Sequence, residues 1–124
     1  MTSTAFDDEH HGAIETHVDD ARARVVLRGE IDGARRAEAS AALAAVVTAA
    51  LPVDLETAGV TFIDSAGVAF LAQIHAIGVE EGFAVRLVEP SQVVVDVLRM
   101  IGLDDRFELD GPGHDAAGLT TLVG

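Results

Sequence analysis

The chain has 124 residues, which fits one domain, and 49% of them are hydrophobic. It contains no cysteine, so a disulfide scaffold, a thiolate metal site and a cysteine nucleophile are excluded. Eight basic residues, all of them Arg, face 21 acidic ones, and the formal charge of −13 argues against direct binding to nucleic-acid phosphates.

Both ends of the chain have the composition of tails. Residues 1–12 (MTSTAFDDEHHG) predict a mobile acidic tail, and they lack the basic start and apolar core of a secretory signal. The longest apolar stretch, residues 41–53, is interrupted by Thr48 and is shorter than the ~20 residues of a membrane-spanning helix. We therefore expect a cytoplasmic protein. Residues 111–124 predict a second tail or a short docking element.

Between the tails, the hydrophobic period alternates between that of strands and that of helices. Residues 14–18 and 25–27 predict two antiparallel strands joined by a tight turn. Asp32 is a candidate N-cap for a helix that stops before Pro52. The inner side of this helix is expected to consist of Leu43, Val46, Val47 and Ala50.

The second half of the chain repeats the alternation. Residues 53–55 begin a third strand, which resumes at 60–63 after a break at 57–59. A helix follows over residues 66–81 and ends at Gly82. Downstream, the pattern predicts a fourth strand, a third helix and a short fifth strand at residues 83–88, 90–102 and 107–109. Helices between successive strands predict an α/β fold with a largely parallel sheet and an antiparallel first hairpin.

The most informative segment, residues 60–68 (VTFIDSAGV), joins the third strand to the second helix. Asp64 and Ser65 lie where free backbone N–H groups meet the positive end of the helix dipole. Such a position favours a carboxylate or a phosphorylated hydroxyl. Simple N-capping of the helix explains the same two residues without any further function.

Three motifs resemble the signature of the STAS domain, the family of anti-sigma-factor antagonists. In chain order they are VVLRGEID at 25–32, IDSAGVAFL at 63–71 and EPSQVVVDVLRMIGLDDRFEL at 89–109. The resemblance covers roughly residues 13–110. It implies an α/β domain with a mixed four- to five-stranded sheet and helices mainly on one face.

The resemblance also implies a function in bacterial transcription regulation. Classical members bind an anti-sigma factor that is also a serine kinase, and this binding releases the sigma factor. The kinase inactivates them by phosphorylating one hydroxyl at the start of the helix, since a phosphate adds about −1.5 to −2 charges to the interface. ATP and Mg²⁺ belong to such a partner, so we expect no cofactor in this chain.

The sequence departs from the family at the phosphorylated position. That position, immediately before Gly67, is Ala66, which has no hydroxyl. Ser65 is a candidate substitute acceptor. We expect a member that binds its partner without phosphorylation at the usual site. The alternative, which the same motif also resembles, is a STAS accessory subunit that binds the ATPase subunit of a lipid-transporting ABC transporter.

The helix after Gly67 has two candidate faces. The face expected to meet the sheet consists of Val68, Leu71, Ala72 and Val79. His75 falls beside it, as expected of a neutral histidine at the edge of the core. A ridge that either packs under a neighbouring loop or offers an apolar patch to a partner consists of Phe70, Ile74 and Ile77.

The motifs of catalysis are missing from the sequence: no nucleophile elbow surrounds Ser65, and no phosphate loop or H-E-x-x-H pair occurs. We expect a protein–protein interaction module with no catalytic residue and no metal. An open sheet edge can also support a homodimer. The candidate partner-binding residues are Asp32, Asp64, Ser65, Ala66, Gly67, Phe70, Gln73, Ile74 and Ile77.

Overall fold

The computed structural model describes residues 12–110, which form one five-stranded sheet. In spatial as well as chain order, its strands are β1 (Ala13–Val18), β2 (Ala23–Ile31), β3 (Val53–Ile63), β4 (Val85–Val88) and β5 (Glu108–Asp110). β1 pairs antiparallel with β2, and the other three pairs are parallel. The predicted α/β class and mixed sheet are confirmed. The tails expected at residues 1–12 and 111–124 lie outside the described residues, except for Gly12, which is buried next to β1.

Three α-helices provide the connections that parallel strands require. They are α1 (Arg36–Ala49), α2 (Ser65–Glu81) and α3 (Gln92–Met100). Short 3₁₀ turns at Gly33–Arg35 and Asp104–Arg106 precede α1 and β5. The helices pack on one face of the sheet, because the buried side chains of all three join those of the strands in a single core. Burial of this apolar surface is the main term that holds the fold together.

Strand β3 is bulged where the sequence predicts a break. Relative to β2, it carries one extra residue between Glu56 and Gly59 and another between Val60 and Phe62. Each extra residue reverses which face the following side chains point to. Both Val60 and Ile63 therefore point into the core, although they are three positions apart, an odd spacing that a regular strand would place on opposite faces. The two bulges keep the strand continuous up to the start of α2.

Helix α1 differs from its predicted packing. Val46 is buried as expected and Leu43 packs at the edge of the core, but Val47 is exposed. Ala42 is the other fully buried side chain of this helix, since it lies one turn before Val46. Ala50, expected on the inner side, is exposed and ends the helix in the left-handed conformation at φ 53°. The alanine-rich sequence of α1 gives a weak periodic signal, which explains the error.

The sheet face opposite the helices is covered by ion pairs. Asp54 is 6% exposed, and its Oδ1 accepts hydrogen bonds from Arg22 Nη1 at 2.7 Å and Arg86 Nε at 2.8 Å. Arg24 binds both carboxylate oxygens of Glu56, at 2.7 and 3.0 Å. We call this surface the ion-pair face; its paired residues are Glu15, Arg22, Arg24, Arg28, Asp54, Glu56 and Arg86. It neutralises four of the eight arginines in a strongly acidic chain.

The pair between Arg24 and Glu56 predicts a specific acid dependence of stability. The hydrogen bonds from Arg24 hold the pKa of Glu56 below its ordinary value. A lowered folded-state pKa stabilises the fold above the unfolded-state pKa, and this contribution is lost as the pH falls through the folded-state pKa. When the pH falls from 6 to 3, the free energy of unfolding of Glu56→Gln is therefore expected to decrease by about 0.5–1 kcal/mol less than that of the wild type. Urea unfolding at each pH, followed by circular dichroism, measures this difference.

A control variant separates this ion pair from loss of charge in general. Glu80 is an exposed residue of α2 and has no ion pair within residues 12–110. Glu80→Gln removes the same charge elsewhere on the molecule. If both variants changed the acid dependence equally, the Arg24 pair would not be its cause.

Candidate functional site

The turn between β3 and α2 is fixed by a side-chain cap. Asp64 Oδ1 accepts hydrogen bonds from the backbone N–H groups of Ala66 at 2.9 Å and Gly67 at 3.1 Å. Two of the donors that every helix start leaves unpaired are thus satisfied. The predicted N-cap is confirmed. Ser65 and Ala66 are exposed on this turn, and Asp64 itself is half-buried.

Gly67 brings α2 against the end of β2. A Cβ atom at this position would lie 2.6 Å from the carbonyl oxygen of Ile31 and 2.6 Å from Cγ1 of Ile63. The backbone N–H of Asp64 also donates to the Ile31 carbonyl, at 3.2 Å. Gly67 is buried, so its structural contribution is this close approach. The approach holds the start of α2 next to Asp32, the residue that follows β2.

The loop after β2 has a cap of its own. Asp32 Oδ1 accepts from the backbone N–H of Ala34 at 3.0 Å, which begins the 3₁₀ turn before α1. Arg35 then donates through Nη1 to the carbonyl of Gly12 and to the carboxylate of Glu38, both at 3.0 Å. These contacts connect the start of α1 to the residue before β1. They hold Arg35 with its side chain only 16% exposed.

A groove of about 340 Å³ lies between the starts of α1 and α2. The sequence-predicted residues that border it are Asp32, Ala66, Gly67, Phe70 and Gln73. Sequence reasoning did not identify its polar residues on the α1 side, which are Arg35, Arg36 and Ser40. The two consecutive arginines that follow the GEIDGA segment are the sequence feature that could have indicated these polar groove residues. The groove is the feature that collects most of the predicted site in one place.

The outward face of α2 is narrower than the predicted partner surface. Phe70 is 4% exposed and Ile74 is fully buried, so these two residues pack in the core. The burial leaves them without a surface to offer a partner, which corrects the apolar patch considered for them. Ile77 is half-buried against the same core. Conversely Val79, expected to meet the sheet, is 73% exposed.

His75 lies at the edge of the core, as the sequence predicts. Its ring packs on that of Phe107, with centroids 5.0 Å apart and an interplanar angle of 58°. This contact links α2 to the residue that precedes β5. This tilted ring contact accounts for His75 as a packing residue.

Residues 12–110 contain neither a metal-binding cluster nor a helix suited to cross a membrane. Those residues contain no group of three His, Asp or Glu side chains arranged to hold a metal ion. None of the helices in that range combines the length and apolar character that a membrane crossing requires.

Together, these features define a small α/β domain: a mixed sheet, helices on one face, and an exposed, capped turn after the central strand. The chain matches the family described as Mlab, STAS domain, over residues 14–111. It therefore belongs to the STAS domain family, and the predicted family is confirmed. No curated protein matches the chain.

Solved structures of anti-sigma factor antagonists have the same fold. An antagonist from Mycobacterium paratuberculosis is 27% identical, with a TM-score of 0.65 over 90% of this chain and 96% of that one. The antagonist SpoIIAA in its unphosphorylated form is 18% identical, with a TM-score of 0.64 over 88% and 97% of the two chains. The Bacillus cell fate determinant SpoIIAA in its phosphorylated form is 16% identical, with a TM-score of 0.64 over 86% and 99%.

Proposed function

We propose that this chain is an anti-sigma-factor antagonist that binds an anti-sigma factor with a serine-kinase domain and so regulates sigma-dependent transcription in the cytoplasm. The observation that carries the proposal is the exposed turn after β3, held rigid by the Asp64 cap and by the close packing of Gly67. Similarity to solved antagonists along nearly the whole chain supports it. The chain acts by binding, without catalysis of its own.

The surface that we assign to the partner begins at this turn and continues along α2. Exposed side chains recur at i, i+4 and i+8, which places Ser65, Ala69 and Gln73 in one row, with Ala66 beside it. We call this row, with Ala66, the turn surface. Asp32 borders it from the end of β2. Small side chains near the turn allow a partner to approach the backbone closely.

The turn surface also bears on regulation. Ala66 has no hydroxyl, and Ser65 supplies an exposed one directly beside it. We propose that partner binding proceeds without phosphorylation at position 66. A phosphate on Ser65 would place its charges beside the Asp64 carboxylate, and like-charge repulsion would oppose it.

A charge placed in the middle of the turn surface tests the proposal. Gln73→Glu is expected to weaken binding of the purified anti-sigma factor at least tenfold, because the new carboxylate is desolvated at the interface. The thermal midpoint should stay within about 2 °C of the wild type, since Gln73 is exposed. Calorimetric titration measures the affinity.

Val79→Glu is the matched control, because it puts the same charge on α2 about 120° away from Gln73. Val79 is 73% exposed, so a charge placed there meets solvent rather than the core. Equal weakening by both variants, or none by Gln73→Glu, would remove the turn surface from the interface.

The alternative partner is the ATPase subunit of a lipid-transporting ABC transporter, and the matched family description keeps it open. Affinity capture with the tagged chain, followed by mass spectrometry, separates the two partners. Recovery of a histidine-kinase-like ATPase supports the antagonist. Recovery of transporter subunits, captured more weakly by the Gln73→Glu variant, would instead show that the chain is an accessory subunit of the transporter. The outer edge of β1, with which no strand of residues 12–110 pairs, is the surface that we assign to a homodimer, and sedimentation of the chain alone tests this.

A further inference from the structure

The groove between α1 and α2 contains a guanidinium that the chain leaves partly unpaired. Both side-chain hydrogen bonds of Arg35 within residues 12–110 use Nη1, to the carbonyl of Gly12 and to Glu38. The Nε atom of Arg35 is buried and has no hydrogen-bond partner there. Leaving a buried, charged donor without an acceptor is costly. A ligand cannot reach this buried Nε, but Nη2 of the same guanidinium also makes no hydrogen bond within residues 12–110 and is not buried, so it is the donor available to a ligand.

A second positive charge lies beside the first. Arg36 borders the same groove, is exposed and makes no ion pair within the described part of the chain. Asp32 is the sole carboxylate among the described groove residues, and one of its oxygens already accepts from the backbone of Ala34. The arginines of the ion-pair face, by contrast, are matched by carboxylates. The groove thus has local positive charge in an acidic molecule.

The remaining surface of the groove is mostly apolar. Its volume of about 340 Å³ falls at the lower end of the range of small-molecule sites. Ser40 and Gln73 add polar groups on its two sides. The apolar residues that border it are Ile14, Ile31, Ala39, Leu43, Ala69 and Phe70. A ligand that fits this lining has a charged group at one end and an apolar body.

We propose that this groove binds a small organic anion, with a carboxylate or phosphate group at Arg35 and Arg36 and an apolar body against Leu43 and Ala69. The net charge of −13 does not prevent this, because ~0.15 M salt screens charges beyond about 8 Å. The site is independent of the proposed function, since it is defined by the chain alone. The groove adjoins the turn surface through Ala66 and Gln73. A bound anion would therefore alter the surface that a partner contacts there.

Three ligands with a linear alkyl chain of similar length test the proposal: octanoate, octyl phosphate and the uncharged octanamide. We expect octanoate or octyl phosphate to shift the amide resonances of the groove residues saturably in nitrogen-15 NMR spectra of the full chain. The tighter of the two identifies the anionic group. Octanamide is expected to bind at least tenfold more weakly, because it cannot neutralise the arginines.

Arg36→Gln is expected to weaken binding of the anion at least fivefold without unfolding the chain, since Arg36 is exposed and unpaired within the described residues. Arg99→Gln is the matched control, because it removes the same charge from an exposed position of α3. Three results would each overturn the proposal: octanamide binding as tightly as the anions, equal effects of the two variants, or no saturable binding tighter than about 1 mM. No partner protein is used, so these results leave the proposed function untouched.

Discussion

Gly67→Ala is expected to lower the free energy of unfolding by about 2 kcal/mol. The new methyl group would lie 2.6 Å from the backbone oxygen of Ile31, and a backbone atom cannot move aside cheaply. Helix propensity alone predicts the opposite sign, because alanine stabilises a helix interior by about 0.5–1 kcal/mol relative to glycine. The sign of the change therefore separates close packing from propensity.

Urea unfolding followed by circular dichroism measures the effect, since the chain has no Trp or Tyr to report by fluorescence. Gly33→Ala is the matched control, because a Cβ atom at Gly33 would meet nothing within 4 Å. It is expected to change the free energy of unfolding by less than about 0.5 kcal/mol. A Gly67→Ala variant as stable as the wild type would mean that α2 does not approach β2 this closely.

Ile74→Ala is expected to cost about 3 kcal/mol of stability, because Ile74 is fully buried between α2 and the sheet. The loss combines the transfer free energy of the deleted methyl groups with the cavity they leave. Urea unfolding at constant pH measures it, and the slope with denaturant should stay unchanged.

Val79→Ala provides the comparison on the same helix. Val79 is 73% exposed, so its truncation is expected to change stability by less than about 0.5 kcal/mol. The two variants also separate packing from binding. If Ile74→Ala kept full stability and weakened partner binding instead, the ridge considered from the sequence would be a true surface.

Local signals made most of the fold predictable. The Asp64 cap and the left-handed Gly82 that ends α2 depend on residues adjacent in sequence, and both were predicted. The order of strands and helices followed from the change of hydrophobic period in the same way. The break expected at 57–59 is real, but it is a bulge within one strand, because pairing with β2 continues on both sides.

The orientation of α2 was less predictable, for a physical reason. From Ala66 to Val79 this helix is apolar on nearly every side, with Gln73 and His75 as its polar side chains. The hydrophobic period alone therefore cannot show whether the face with Phe70 or the face with Val79 packs against the sheet. The choice depends on where the helix meets the sheet, and Gly67 determines that contact.

The groove was out of reach of sequence reasoning because it forms only where two distant parts of the chain, the start of α1 and the start of α2, come together. Arg35 donates to Gly12, which lies 23 residues earlier. Neither residue carries a motif, and their contact exists only after β1 and α1 pack together. The unpaired Nε of Arg35 becomes visible only once those neighbours are in place.

The ion-pair face has a consequence for colloidal behaviour. A sheet with helices on one face leaves its other face bare, and a bare apolar sheet invites a second sheet to stack on it. Here Asp54, Arg24 and Glu56 are already matched with charges of opposite sign. Stacking would take Arg24 and Glu56, which still contact solvent, out of water at a cost of several kcal/mol each, with no new partner in return. The face thus discourages face-to-face aggregation in concentrated solution, and leaves association to the opposite side of the molecule.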